Sequence, residues 1–106
     1  MTAESVTPVP VNHRPEIPVD PHQLSEYVCR YELRPGMIEE LSVQGDRLFS
    51  RLRSAEPQPT YFVAPDVNVE FDNLGEAVFQ RNSTGQITGY LYHSPDGQTV
   101  LGTKLP

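Results

Sequence analysis

From Tyr27 onward, turn-forming residues recur at intervals of about 8 to 12 positions, and the runs between them are short, apolar-rich and mostly alternating with a period of two. That punctuation predicts an antiparallel meander. The predicted strands are 27–33 (YVCRYEL), 37–44 (MIEELSVQ), 47–53 (RLFSRLR), 60–65 (TYFVAP), 68–73 (NVEFDN), 76–82 (EAVFQRN), 87–93 (ITGYLYH) and 99–105 (TVLGTKL). Pro35-Gly36, Gly45-Asp46, Ser83-Thr84-Gly85 and Pro95-Asp96-Gly97 supply hairpin-like connections. So many short strands crowd a single flat sheet, whereas a strongly curled all-β sheet closing into a small barrel removes most exposed edges.

Ahead of this pattern, residues 1–21 contain Pro8, Pro10, Pro15, Pro18 and Pro21. Proline removes backbone donors and biases its predecessor toward extended conformations, so 1–21 is expected to be a disordered linker and 22–106 the folded domain. Asp20 before Pro21 is a good N-cap followed by proline at the first helical position, which predicts a short helix in DPHQLSEYV. The i, i+2 alternation assigns an expected core: Leu41 and Val43, Leu48 and Leu52, Val69 and Phe71, Ala77 and Phe79, Ile87 and Leu91. Arg47, Phe49, Arg51 and Arg53 share the opposite face of the third strand, and Tyr90 and Tyr92 share a face of the seventh.

Composition narrows the function classes. With 8 Lys and Arg against 14 Asp and Glu, the formal net charge of −6 argues against gripping nucleic acid or an anionic membrane through bulk electrostatics. The single cysteine, Cys29, permits no intrachain disulfide and is expected to be a buried structural thiol. The N-terminal residues contain no apolar signal-peptide core, and no stretch approaches the roughly 20 apolar residues of a membrane span. The default expectation is a soluble, cytoplasmic chain, unless an export signal lies upstream in a longer protein.

The short lead helix with LSEYVCRYEL, then PTYFVAPDVNVEFDN and AVFQRNSTGQITGYLYH, together resemble a known family. It is the small lipocalin-like domain of unknown function at the C-terminus of penicillin-binding-protein-like, serine-β-lactamase-related peptidases and esterases. Its first element, Leu-x-x-Tyr-x-Gly-x-Tyr, is matched at Leu24, Tyr27 and Tyr31, with Cys29 standing at the usual glycine. Its later element, Phe-x-Arg-x-x-x-Gly and the strand after it, is matched at Phe79, Arg81, Gly85, Ile87 and Gly89. The resemblance spans about residues 22–105. It implies a lipocalin-like barrel and a noncatalytic accessory role beside a serine-hydrolase domain, in cis or in trans, and brings no catalytic residues.

The residues agree with a noncatalytic expectation. The Ser-x-x-Lys pair of those hydrolases is absent, since Lys104 is the only lysine and Leu101 stands three residues before it. Tyr92-His93-Ser94 resembles their Tyr-x-Ser pattern without a nucleophile beside it. His13, His22 and His93 lack metal-ligand spacing, so neither metal nor cofactor is expected. Glu39 and Glu40 are adjacent, hence on opposite faces of a strand, and read as strand polarity. Asn82-Ser83-Thr84 satisfies a glycosylation sequon but is read as a hairpin loop, with Gly85 supplying a positive φ. A second class of function is a carrier of a small hydrophobic ligand, with Arg51, Tyr90 and Tyr92 as polar handles among Phe49 and Phe62. Against it, an eight-stranded interior is just wide enough to be filled by its own side chains, and a filled interior is the favoured expectation. The arginine row is expected either to line a pocket or to pair across strands with Glu39 or Glu70.

Overall fold

The computed structural model describes residues 14–52, 56–71 and 75–106. Linker positions 1–13, including His13, position 53 of the third predicted strand and positions 72–73 of the fifth lie outside the described residues. Asp20 caps helix α1 (Pro21–Leu24) by accepting the His22 amide at 2.8 Å, with Pro21 at the first position, and a 3-10 turn (Ser25–Tyr27) continues it. The strands follow as β1 (Cys29–Arg34), β2 (Met37–Gln44), β3 (Arg47–Leu52), β4 (Gln58–Ala64), β5 (Val67–Glu70), β6 (Glu76–Arg81), β7 (Ile87–His93) and β8 (Thr99–Lys104). Each pairs antiparallel with its sequence neighbour, and β8 returns to β1 through Tyr31 opposite Lys104 and Glu32 opposite Thr103, closing the barrel. The lipocalin-like, all-β architecture expected from the sequence is the observed one.

The turns form as their residues dictate. Asn82 Oδ1 accepts the amides of Thr84 and Gln86, both at 3.0 Å, while Gly85 takes φ +84°. That local bonding accounts for most of the polarity of the stretch after β6. Asp66, between β4 and β5, is the one non-glycine residue with positive φ, at 62°, among the described residues.

The end of the barrel carrying α1 is sealed by aromatic packing. Tyr27 lies 4.8 Å from both Phe62 and Phe79 between ring centroids, Phe79 lies 5.3 Å from Tyr90, and Tyr31 is fully buried. Leu24, Leu41, Leu48 and Ile87 complete this core. Cys29 is half-buried beside it, its thiol donating to the Leu105 carbonyl at 3.2 Å.

Several expected core positions lie elsewhere. Val69 and Phe71 are buried, but with Tyr61 they form a separate cluster on the outer wall, where the Arg47 guanidinium lies 5.1 Å from the Phe71 ring centroid. The partners of Val69 on its own strand, Asn68 and Glu70, are the inward residues: Asn68 Nδ2 donates to Thr60 Oγ1 at 3.1 Å, and Thr60 Oγ1 donates to the Leu48 carbonyl at 2.7 Å. The alternation of β5 is correct and its polarity is reversed, because an outer layer makes its outer face apolar too. Leu91 also faces outward, between inward Tyr90 and Tyr92, because a register irregularity in the β6–β7 pairing shifts the phase between Ile87 and Tyr90. Val43, near the hairpin end of β2, is exposed.

The outer layer comes from residues read as linker. Ile17 N donates to the Phe62 carbonyl at 2.9 Å, the Tyr61 hydroxyl donates to the Arg14 carbonyl at 2.9 Å, and Ile17 and Val19 pack on the barrel core. Arg14 pairs with Glu76 and Glu16 with Arg47. Residues 14–19 are thus part of the wall.

Candidate functional site

The opposite end of the barrel is not filled. Where β1 turns into β2, β3 and β5 end and β7 turns into β8, a cavity of about 410 Å³ enters the interior. That is within the range of roughly 300 to 1,000 Å³ typical of small-molecule sites. Its apolar wall is Leu33, Met37, Leu52 and Val100, and Tyr90 and Tyr92 line it from β7. Polar groups enter from Glu39, Ser50, Gln58, Glu56, Glu70 and Arg34. The favoured expectation of a filled interior therefore holds for the α1 end and fails at this one. After Val100, the next inward position of β8 is Gly102, where a Cβ would meet the Tyr90 ring at 2.7 Å, so the tyrosine lies across the glycine.

Glu39 is the residue that sequence reasoning missed. It lies two positions before inward Leu41, so it too points into the barrel, while Glu40 points out. The signal in the sequence is the strand period itself, which puts Glu39 on the face of Leu41. Its carboxylate accepts from Ser50 Oγ at 2.6 Å and, through the other oxygen, from the Tyr90 hydroxyl. Burial raises the Glu39 pKa, and these two donors oppose that rise. Burial beside this carboxylate likewise drives the Tyr90 phenol far above its ordinary value, so it acts as a donor.

Of the three ligand-site candidates, the structure brings Tyr90 and Tyr92 together inside and places Arg51 outside. Arg51 pairs with Glu40 across the β2–β3 ladder, Nη2 to Oε1 at 2.7 Å, on a half-exposed surface. Its distance in sequence from inward Ser50 is one residue, which sends the two side chains to opposite faces. The cross-strand pair expected of the arginine row forms with Glu40 rather than Glu39. Phe62 is in the sealed core, and Phe49 lies on the outer face.

A second polar constellation belongs to the sealed end. Arg81 grips both oxygens of Asp66, Nε to Oδ2 at 2.9 Å and Nη2 to Oδ1 at 3.0 Å, and Nη1 also donates to Glu26 at 2.8 Å and to the Gly85 carbonyl at 2.6 Å. The Tyr27 hydroxyl donates to Asp66 at 2.6 Å, and its pKa is pushed up to about 12 by burial and by that carboxylate. The guanidinium thus satisfies the turn carbonyl of Gly85, four residues on, while holding Asp66.

Among the described residues no three His, Cys, Asp or Glu side chains are placed to hold a metal ion. His93 Nδ1 instead lies 3.1 Å from Thr99 Oγ1, its cross-strand neighbour. Among the same residues no helix is long and apolar enough to cross a membrane. No protein-family model matches the chain, and no characterised protein sequence matches it.

Proposed function

We propose that this barrel is a noncatalytic accessory domain that packs against a β-lactamase-related serine hydrolase domain, in cis or in trans. The observation that carries the reading is an apolar row on the outer wall. Val67 is paired with Val78, Val78 with Leu91, and Leu91 with Leu101, so four strands present one apolar side chain each in cross-strand register. Leu101 is 52% exposed. An uninterrupted row of this kind on a curved wall is the contact surface that a partner domain covers, with the rim supplied by polar neighbours. The residues behind the family resemblance support it as well: Tyr27, Phe79, Arg81 and Gly85, from its two separate elements, meet in one unit at the sealed end. The test is a pull-down from the native host with the intact chain as bait, run beside Leu101→Asp. Capture of a serine hydrolase that the aspartate variant loses, at an unchanged melting temperature, supports the proposal. Equal capture by both chains, or no hydrolase, overturns it.

The cavity favours a second reading, a carrier of a small hydrophobic ligand. Native mass spectrometry of freshly purified protein tests it by the presence of a bound adduct.

A further inference from the structure

The cavity's electrostatics go beyond a merely hydrophobic site, and the inference drawn from them rests on the carrier reading. We infer that the cavity selects a small organic amine, its ammonium group held by the Glu39 carboxylate and its apolar body against Leu33, Met37, Leu52 and Val100.

Four features support this assignment. The first is charge: among the described residues that line the cavity, three are carboxylates, Glu39, Glu56 and Glu70, and one is a guanidinium, Arg34. The second is the arrangement of Glu39. Each of its oxygens accepts one hydroxyl, from Ser50 and from Tyr90, and a carboxylate oxygen has two acceptor sites, so this cavity-lining group keeps acceptor capacity. Ser50 is itself buried, so those hydroxyls hold the carboxylate in one position before any ligand arrives. The third is the aromatic wall: Tyr90 and Tyr92 line the cavity, and tyrosine is a side chain that attracts cations. The fourth concerns cation type. The acids are spread around the wall, and no three of them are placed to hold a metal ion among the described residues, which suits an organic cation with one charged end.

A buried carboxylate that is hard to ionise also gains most from a cation: bringing an ammonium to Glu39 offsets the desolvation that its burial imposes. An anionic molecule of the same shape meets the Glu39 carboxylate instead.

The test uses the full chain and three probes of matched size, hexylamine, hexanol and hexanoate, titrated at neutral pH and followed by amide chemical shifts. Hexylamine should bind at least about tenfold more tightly than either of the others, a preference of about 1.4 kcal/mol. Its shifts should centre on Glu39, Ser50, Tyr90 and Leu52. Glu39→Gln, which retains an acceptor for Tyr90, should erase the preference while leaving hexanol binding intact. Leu52→Trp, which fills the cavity, should abolish hexylamine binding without altering the strand amides on the sealed side. Equal binding of hexanol and hexylamine overturns the amine assignment and leaves the carrier reading standing. Failure of all three probes to shift the cavity residues overturns both. Shifts that map only to surface acids such as Glu40 or Asp96 also overturn it.

Discussion

The Arg81 guanidinium holds the Asp66 carboxylate from two nitrogens, at 2.9 and 3.0 Å, across fifteen residues of sequence. Asp66 has positive φ, and the contact joins the β4–β5 turn that holds it to the end of β6. Bidentate pairing is geometrically specific as well as stronger than a single charge-assisted bond.

Replacing Arg81 with alanine should therefore destabilise the barrel by about 1 to 2 kcal/mol, a range kept low because the pair is partly exposed. The pair lowers the Asp66 pKa, the hydrogen bond from Arg81 being the largest cause. A depressed carboxylate contributes stability above its unfolded value of about 3.9 and loses it as pH falls through the folded value. Urea unfolding of both proteins should show a gap at pH 7 that narrows below about pH 4. A gap unchanged in acid would mean that Arg81 acts through packing on Tyr27 instead.

At Glu39 the sign is opposite. Burial raises its pKa, so the folded state favours the protonated form and is most stabilised, as far as this group goes, below the unfolded carboxylate value. That contribution is lost as pH rises through the folded value. Glu39→Gln should thus melt higher than the parent at neutral pH and converge with it toward about pH 4. The groups around the carboxylate are Ser50, Tyr90 and Tyr31 with the other cavity acids Glu56 and Glu70 and Arg34, and none of them is changed by the substitution. A variant less stable than the parent at pH 7 would show that the carboxylate's hydrogen bonds outweigh its desolvation.

Phe79 is 5% exposed and its ring meets those of Tyr27, Tyr31 and Tyr90. Phe79→Ala should cost about 3 to 5 kcal/mol, a large part of the stability of so small a domain. A thermal midpoint lowered by only a degree or so would contradict its place at the centre of the core.

Removing residues 1–19 should strip Ile17 and Val19 from the core cluster they pack on and leave the Tyr61 hydroxyl without the Arg14 carbonyl. A loss of about 2 kcal/mol or more, with new binding of a hydrophobic dye, is expected from the apolar area exposed. A truncated chain that melts with the parent and ignores the dye would restore the reading of that stretch as a separable linker.

What the sequence determined by itself was local: eight strand-length runs, their turns, the Asp20–Pro21 helix start and, through the two-residue period, which neighbours share a face. These follow from backbone chemistry within a few residues, and the observed strands keep to them closely. Tertiary structure decided what each face meets. In β5 it turned Val69 outward, into a cluster with Tyr61 and Phe71 over which Arg47 lies; in β7 an irregularity in pairing re-phased Leu91. It also made Glu39 a cavity residue and Arg51 a surface one, a choice between two faces that alternation alone leaves open. Only closure of β8 on β1 sets which face is the interior, and only the contact across the sheet makes Gly102 the position over which the Tyr90 ring lies.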